Sequence, residues 1–485
     1  MADLLIEGGT VVTQNPRREV IDDGAVAVGK ADALADKYDL TERLDATGNA
    51  VIPGLVNPHT HVSDILLRGS CGTDRGLYDW LFNIKQPGIA QMTADEHELA
   101  AALYCAEALT AGVTTFVDND AELPLGALDP MTGKFDAFEA AGIRSIYARG
   151  VRDLPADEGF KTLIERIGGR DPSIEQPDQN RYVAELDGWL DELESLSDDY
   201  HGSADGRHEI WVAPVVIEGM TDGGLRETYQ FAERHDVMTT IHTAEAPEQV
   251  GGSLSPIEHL RNVGSLGEHA LLAHCVYTDE RDVRLLAETD TRVAHNIGSN
   301  MALGNGFAPL PTMRAHGVTV GLGTDNTTLS DTVNPLADLR LAAMAHRGHH
   351  QDPGVLPAAA ALDMVTIEAA RSLRKADTLG SLEAGKRADI VILDIDQPHL
   401  TPSPDSINAL VYQALGTEVT TVFCDGDRVV DNGEPVGITA AYPNLLEEAS
   451  AAGERIVAAA GIDESDGYGC ERAVTEPSGV GDRSQ

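Results

Sequence analysis

The chain has 485 residues, 42% hydrophobic but only 5% aromatic, which is length enough for a large core built mainly from Ala, Val, Leu and Ile. Its 79 acidic against 35 basic residues leave a formal net charge of −44, which argues against nucleic acid and anionic membranes as partners, while the hydrophobic fraction excludes intrinsic disorder. An acidic chain with only seven lysines reads as adaptation to high intracellular salt, where a short Debye length screens the self-repulsion.

No stretch approaches the roughly 18 uncharged apolar residues of a membrane span. The N-terminal "MADLLIEGGTVV" lacks the basic-then-apolar pattern of a secretory signal, so a cytoplasmic enzyme is expected. The five cysteines, Cys71, Cys105, Cys275, Cys424 and Cys470, form no CxxC pair. That fits a reducing compartment and argues against thiolate-held zinc.

The first elements, "LLIEGGTVVTQ" through "AVAVGK", are short alternating strands broken by Gly and Asp, the pattern of a small β-sandwich. Eight strand-like runs follow, each ending in a polar cluster: "NAVIPGLVNPHTH", "GVTTFVDND", "GIRSIYARG", "EIWVAPVVIE", "VMTTIHTAE", "ALLAHCVY", "TRVAHNIGSN" and "VTVGLGTDN". Amphipathic stretches such as "ADEHELAAALYCAEALTAG" and "DERDVRLLAETD" separate several of them. Alternating strands and helices predict parallel pairing, and eight repeats predict an α/β fold, a closed (β/α)8 TIM-like barrel. The acidic segment from about residue 152 to 208 reads as an elaborated loop carrying one helix, "NRYVAELDGWLDELESL". Beyond the barrel, "GSLEAGKRADIVILD" through "VTTVFCDGDRVV" return to the sandwich pattern and are expected to pair with the N-terminal flank. The expected layout is a composite β-sandwich of residues 1–56 and 379–437 and a barrel of residues 57–378. A C-terminal helix and a disordered polar tail ending "EPSGVGDRSQ" would fill residues 438–485.

Within "IPGLVNPHTHVSDILLRG", His59 and His61 stand two apart, so on a strand both imidazoles share one face, which in a barrel is the interior. His242 and Glu245 end the fifth run, His274 the sixth and Asp325 the eighth. Imidazoles and carboxylate gathered in this way form a hard-to-borderline ligand set suited to Zn²⁺ or Fe²⁺. A lone His-X-His is weak evidence; six such residues in order at barrel strand ends are strong.

These motifs, together with "LYDWLFNIKQPG", "LYCAEALTAGVTTF", "DDYHGSADGR" and "AHCVYTDERDVRLLAE", resemble the amidohydrolase superfamily over about residues 4 to 435. Within it the chain is similar to the triazine hydrolase and nucleobase/nucleoside deaminase branch, foremost the atrazine chlorohydrolase and melamine deaminase type. The adenosylhomocysteine/methylthioadenosine deaminases, which share "PGLVNPHTH", "LLRG" and "HNIGSN", come next. The resemblance implies one divalent metal ion, Zn²⁺ or Fe²⁺, held by His59, His61, His242 and Asp325, with Glu245 and His274 beside its water. It implies hydrolytic deamination of a small amino-substituted N-heterocycle, of pyrimidine, purine or s-triazine type, by attack of metal-bound hydroxide. A divalent metal lowers the pKa of its water to about 7. Catalytic roles then fall to Glu245, which would carry a proton to the ring nitrogen, and to His274 and Asp325, which would orient the nucleophile and stabilise developing charge. A homo-oligomer is expected.

Trp80 matches a family aromatic that packs near the heterocycle, and His295, Asn296 and Asn326 are the other expected substrate-binding residues. "HRGHH", His346 to His350, reads as an exposed helix end rather than a second metal site, "LGNGFAP" as a turn before a helix, and Cys275 as core. Three departures bear on specificity. Where nucleoside-type deaminases carry a Pro-X-Glu that recognises ribose, this chain has Pro87-Gly88-Ile89. Leu329 stands where the triazine enzymes have a small polar side chain or Cys, and Asp64 where the chlorohydrolases have an amide. Deamination is therefore preferred over halide displacement from a triazine, over an adenosylhomocysteine/methylthioadenosine-type deaminase, and over a noncatalytic barrel.

Overall fold

The computed structural model describes residues 2–29, 42–70, 75–155, 158, 179–330 and 332–462. The expected polar tail, Cys71 and Cys470 lie outside the described residues.

The N-terminal flank supplies β1 (Ala2–Val12), β2 (Val20–Gly29), β3 (Glu42–Asp45) and β4 (Asn49–Pro53). The first barrel run is in fact two strands, β4 and β5 (Leu55–Thr60), divided at Gly54. A Cβ at Gly54 would lie 2.2 Å from the Thr114 hydroxyl, so only glycine lets the chain pass from one sheet to the other there.

Strands covered on both faces should be apolar without alternation. Accordingly, all eight residues of β6 (Val113–Asp120) and all eight of β7 (Arg144–Val151) are buried. They are followed by β8 (His208–Pro214), β9 (Thr239–Thr243), β10 (Ala270–His274), β11 (Arg292–His295) and β12 (Val320–Leu322). Strands β5 to β12 pair in sequence order, all parallel, and a parallel bridge from Thr60 to Asp325 joins the two ends of the row. This is the (β/α)8 barrel. Three helices between the strands start on capping boxes, at Thr93/Glu96, Ser255/Glu258 and Asp279/Asp282.

The C-terminal flank adds β13 (Ile390–Asp394), β14 (Val419–Cys424), β15 (Asp427–Asp431) and β16 (Glu434–Pro435). The flanks join where β13 runs antiparallel to β4, Ile390 opposite Pro53 and Asp394 opposite Asn49. Period-two alternation then gives this sheet two jobs. Val51, Ile390 and Ile392 fill its own small core with Leu4, Ile6 and Phe423, while Ala50, Ile52, Val391 and Leu393 face the barrel core.

The helix expected from residue 180 begins later, at Leu186, and runs to Tyr200. Before it, the Ala184 N–H donates to the Arg152 carbonyl at 3.1 Å, which ties the chain to the end of β7. Trp189, Leu193 and Leu196 are its buried face; Asp187, Asp191, Glu194, Asp198 and Asp199 are exposed. The C-terminal helix, Leu445–Ala460, docks on Ala94–Thr110 through Arg455, whose Nε lies 2.6 Å from Oε1 of Glu96.

Carboxylates displayed along such faces repel one another over about 10 Å at 0.1 M salt but only about 3 Å at 1 M. The native circular dichroism signal is therefore expected at molar salt and is expected to be lost on transfer to low salt; an unchanged signal without salt would remove the halophilic reading.

Candidate active site

Because side chains alternate, His59 near the end of β5 and His61 just past it point into the barrel mouth together. Their Nε2 atoms lie 3.2 and 3.4 Å from Oδ1 of Asp325. His242 on β9 brings its Nε2 to 3.2 Å from that of His61. His274 ends β10 with its Nε2 3.7 Å from Oε2 of Glu245 and 3.8 Å from Oδ2 of Asp325. The ligand atoms of His59, His61 and Asp325, and those of His59, His242 and His274, lie within 4.8 Å of one another in each set. The residues singled out from the strand ends thus converge at one point.

Backbone geometry brings them there at a cost. Ala244, His274 and Asp325 have φ of 51°, 73° and 57°, the left-handed region that non-glycine residues enter at about 1–3 kcal/mol each. Asp325 is held by its N–H to the His59 carbonyl and by the Thr60 hydroxyl to its own carbonyl, both at 2.9 Å. Such strain, fixed by neighbouring strands, is characteristic of functional sites.

The donor set fits a divalent cation. Nδ1 of His61 lies 2.7 Å from the Asn119 carbonyl, and Nδ1 of His242 lies 2.9 Å from the Val215 carbonyl. Those bonds place the proton on Nδ1 and turn both Nε2 lone pairs toward each other. Neither nitrogen of the buried His59 makes a well-aligned hydrogen bond, and its Nε2 faces Oδ1 of Asp325. Burial pushes His59 down to about 4, and His242 well below its ordinary value with help from its histidine neighbours. Burial would raise the Asp325 carboxyl, but the surrounding imidazoles of His59, His61 and His274 outweigh it and hold it well below the usual range. Imidazoles gathered around a carboxylate are a metal-binding site.

Several contributors were not singled out from the sequence. Asn300 Oδ1 lies 2.9 Å from Nδ1 of His274, and the Ser299 hydroxyl donates to Oδ2 of Asp325. Both belong to "HNIGSN", but no period or spacing marks them. Asn305, in the turn "LGNGFAP", sits with its amide nitrogen 3.3 Å from Oε1 of Glu245, and Gln249 accepts the Glu245 N–H at 2.6 Å. Behind His61, the fully buried Lys134 bridges Asp118 at 2.9 Å and Asp120 at 2.8 Å, and Asp118 accepts the Val62 N–H at 3.0 Å. Burial would lower the Lys134 pKa, but the two aspartates outweigh it and keep it charged. The run "FVDND" therefore fixes the backbone on which His61 stands.

A cavity opens beside the cluster. His61, His242, Glu245, His274 and Asp325 line it, with apolar walls from Leu77, Tyr78, Trp80, Leu81, Val215 and Leu329. Glu245 is 5% exposed, and burial raises its carboxyl pKa against the pull of His274. Trp80 is on the wall, its Nε1 donating to the Thr328 hydroxyl at 2.9 Å.

The other three expected substrate-binding residues are not among those lining the cavity. His295 turns outward, its Nε2 3.0 Å from that of His346 on the helix Pro335–His350. Asn296 presents its amide nitrogen 3.4 Å from Nε2 of His274, and Asn326 donates to Asp64. His346 is buried by that contact, whereas His349 and His350 form the exposed helix end. Cys275 is core, as expected.

An eight-stranded barrel that gathers a His/Asp metal-binding site at the C-terminal ends of its strands, with a buried carboxylate over one cavity, defines a metal-dependent hydrolase. The chain belongs to the amidohydrolase family, whose model matches residues 50–429. It is 33% identical over 447 residues to a 5-methylthioadenosine/S-adenosylhomocysteine deaminase of Symbiobacterium thermophilum, covering 89% of this chain and 94% of that one. It is 32% identical over 441 residues to an S-triazine hydrolase of Gordonia rubripertincta, covering 89% and 91%. Among solved structures it is similar to an atrazine chlorohydrolase of Arthrobacter aurescens complexed with zinc, at a TM-score of 0.81 and 26% identity, covering 93% of this chain and all of that one. No helix among the described residues is long and apolar enough to cross a membrane.

Two outcomes are expected. His59→Ala with His61→Ala abolishes divalent-metal binding, as measured by metal analysis of the purified protein. Lys134→Met, which leaves two buried carboxylates without their cation, lowers stability by about 3–5 kcal/mol in denaturant unfolding at molar salt.

Proposed function

We propose that the protein is a cytoplasmic, halophilic aminohydrolase that removes the amino group of an N-heterocycle of pyrimidine, purine or s-triazine type as ammonia. One observation carries the reading: Glu245 and Trp80 line the same cavity as the His/Asp cluster. A single Zn²⁺ or Fe²⁺, held by His59, His61, His242 and Asp325, would acidify water for nucleophilic attack at neutral pH.

The chain's own residues supply the rest. Trp80 and the apolar wall accept the flat ring and exclude bulk water. Glu245, buried between Asn305 and His274, takes the proton of the attacking water and delivers it to a ring nitrogen, so aromaticity is broken as the carbon becomes tetrahedral. His274, its Nδ1 directed to Asn300 and its Nε2 facing Asn296, stays in one orientation and steadies the developing charge. A second proton passed by Glu245 to the amine lets ammonia leave.

Two features favour amine over halide departure and a free base over a nucleoside. Leu329 puts a branched apolar side chain on the cavity wall. Gln86 lines the cavity but Pro87, Gly88 and Ile89 do not, so the segment expected to reach ribose offers it no carboxylate. We also propose the division into residues 1–56 with 379–437, residues 57–378 and residues 438–485 as the working domain layout, and a homo-oligomer as the working assembly.

A panel of aminated heterocycles is expected to release ammonia rather than halide from matched substrates. With the substrate so found, Glu245→Gln is expected to retain its metal while turnover falls by about 10²–10⁴-fold. Lost metal would make Glu245 a ligand, and near-normal turnover would overturn the proton-transfer role.

A further inference from the structure

The cavity wall holds a cation that the chemistry above does not use. Lys85 lines the cavity at 4% exposure and closes a π-helical turn, Leu81–Lys85, that follows Leu77–Trp80. Such widened turns re-aim side chains and recur at functional sites. The Lys85 Nζ lies 3.2 Å from Oδ2 of the buried Asp64 and 5.5 Å from the centre of the Trp80 ring. Asp64 is in turn gripped by the amide of Asn326, the residue after Asp325, so the pair is fixed to the same backbone as the metal cluster.

The chemistry of this arrangement is specific. An ammonium has three N–H donors and no acceptor, and Asp64 occupies one direction. The carboxylates of Asp64, Glu122 and Asp325 all act on Lys85 and together hold it protonated against burial. Asp64, 3.2 Å away, already offsets its charge, and an anionic ligand group would have to compete with that carboxylate for the same ammonium. What the wall offers is a charge-assisted donor beside an aromatic face, and the partner that uses it without adding charge is a neutral oxygen.

We propose that Lys85, positioned by Asp64, selects amino-substituted heterocycles that carry a ring carbonyl oxygen, which accepts a hydrogen bond from Nζ while the ring lies against Trp80. The proposal rests on the aminohydrolase reading and names its substrate class. The apolar residues around the ring discriminate weakly by shape, whereas a buried polar contact discriminates strongly. Lys85 keeps Asp64 when a ligand lacks the oxygen, so the preference is that of one charge-assisted bond, on the order of 10- to 100-fold.

The test compares matched pairs that differ in one ring carbonyl oxygen: cytosine with 4-aminopyrimidine, isoguanine with adenine, and ammeline with 2,4-diamino-1,3,5-triazine. Binding is measured by calorimetry at molar salt on metal-loaded Glu245→Gln protein, so that nothing is consumed. The oxo member of at least one pair is expected to bind 10- to 100-fold more tightly than its partner. That preference is expected to vanish in Lys85→Met. Asp64→Asn with Lys85→Met, which removes both charges and leaves no buried carboxylate unpaired, must give the same result and guards against misfolding of the single variant. Equal affinities within every pair, no binding of any oxo compound, or a preference that survives the double variant overturns the proposal. Ammonia release by the unmutated enzyme on the same six compounds separately tests the aminohydrolase reading.

Discussion

Nε2 of His61 and Nε2 of His242 lie 3.2 Å apart, each ring tied through its Nδ1 to a backbone carbonyl. The two rings are pinned from different strands. The carbonyl of Asn119 belongs to β6 and that of Val215 follows β8. Sheet order therefore fixes how the two rings approach, and the barrel presents both nitrogens, with Asp325, at one point in its mouth. The strained backbone at Asp325 is held by the bonds that join β5 to the chain beyond β12.

What could be read from the sequence followed from short-range periodicity. His59 and His61 announce themselves because a period of two puts them on one face, and the eight runs announce a barrel because strand-like and helical segments alternate through eight repeats. Lys85, Lys134 and Asn300 carry no such signature. Lys134 sits on the helix Leu128–Ala141 and meets Asp118 and Asp120 only after that helix folds back across β6. His295, Asn296 and Asn326 were placed at strand ends correctly, but strand position does not say which way a side chain turns once the strand has ended. His346 looked exposed among its neighbours in "HRGHH", and became buried because His295 meets it across the barrel wall. Gly54 shows the converse: one apolar run concealed two strands, and the contact that divides them, with Thr114, is far away in sequence.

The flanking sheet contributes to the site indirectly. Its strand β4 runs directly into β5 through Gly54, so the sheet sets where the His59 strand begins. The inward residues Ala50, Ile52, Val391 and Leu393 weld it to the barrel core. Any sliding of this sheet would move His59 relative to Asp325, whose N–H is bonded to the His59 carbonyl. A region that carries no ligand thus constrains the ligand geometry.

The same acidic composition plays two electrostatic roles that salt separates. On exposed faces such as Leu186–Tyr200, carboxylates stand in water, and molar salt reduces their mutual repulsion to contact range. Inside, carboxylates sit against cations: Asp118 and Asp120 with Lys134, Asp64 with Lys85, and Glu192 with Arg149 at 2.7 Å. These pairs are almost wholly buried, where mobile ions do not reach and screening is weak. High salt therefore relaxes the surface without loosening the charges that orient His61 and shape the cavity. Few lysines are present, and two of them are spent in the interior against aspartates beside the site. A lysine desolvated in a cavity wall offers a compact point charge with three donors, a geometry that arginine's wider fork or a neutral side chain does not reproduce.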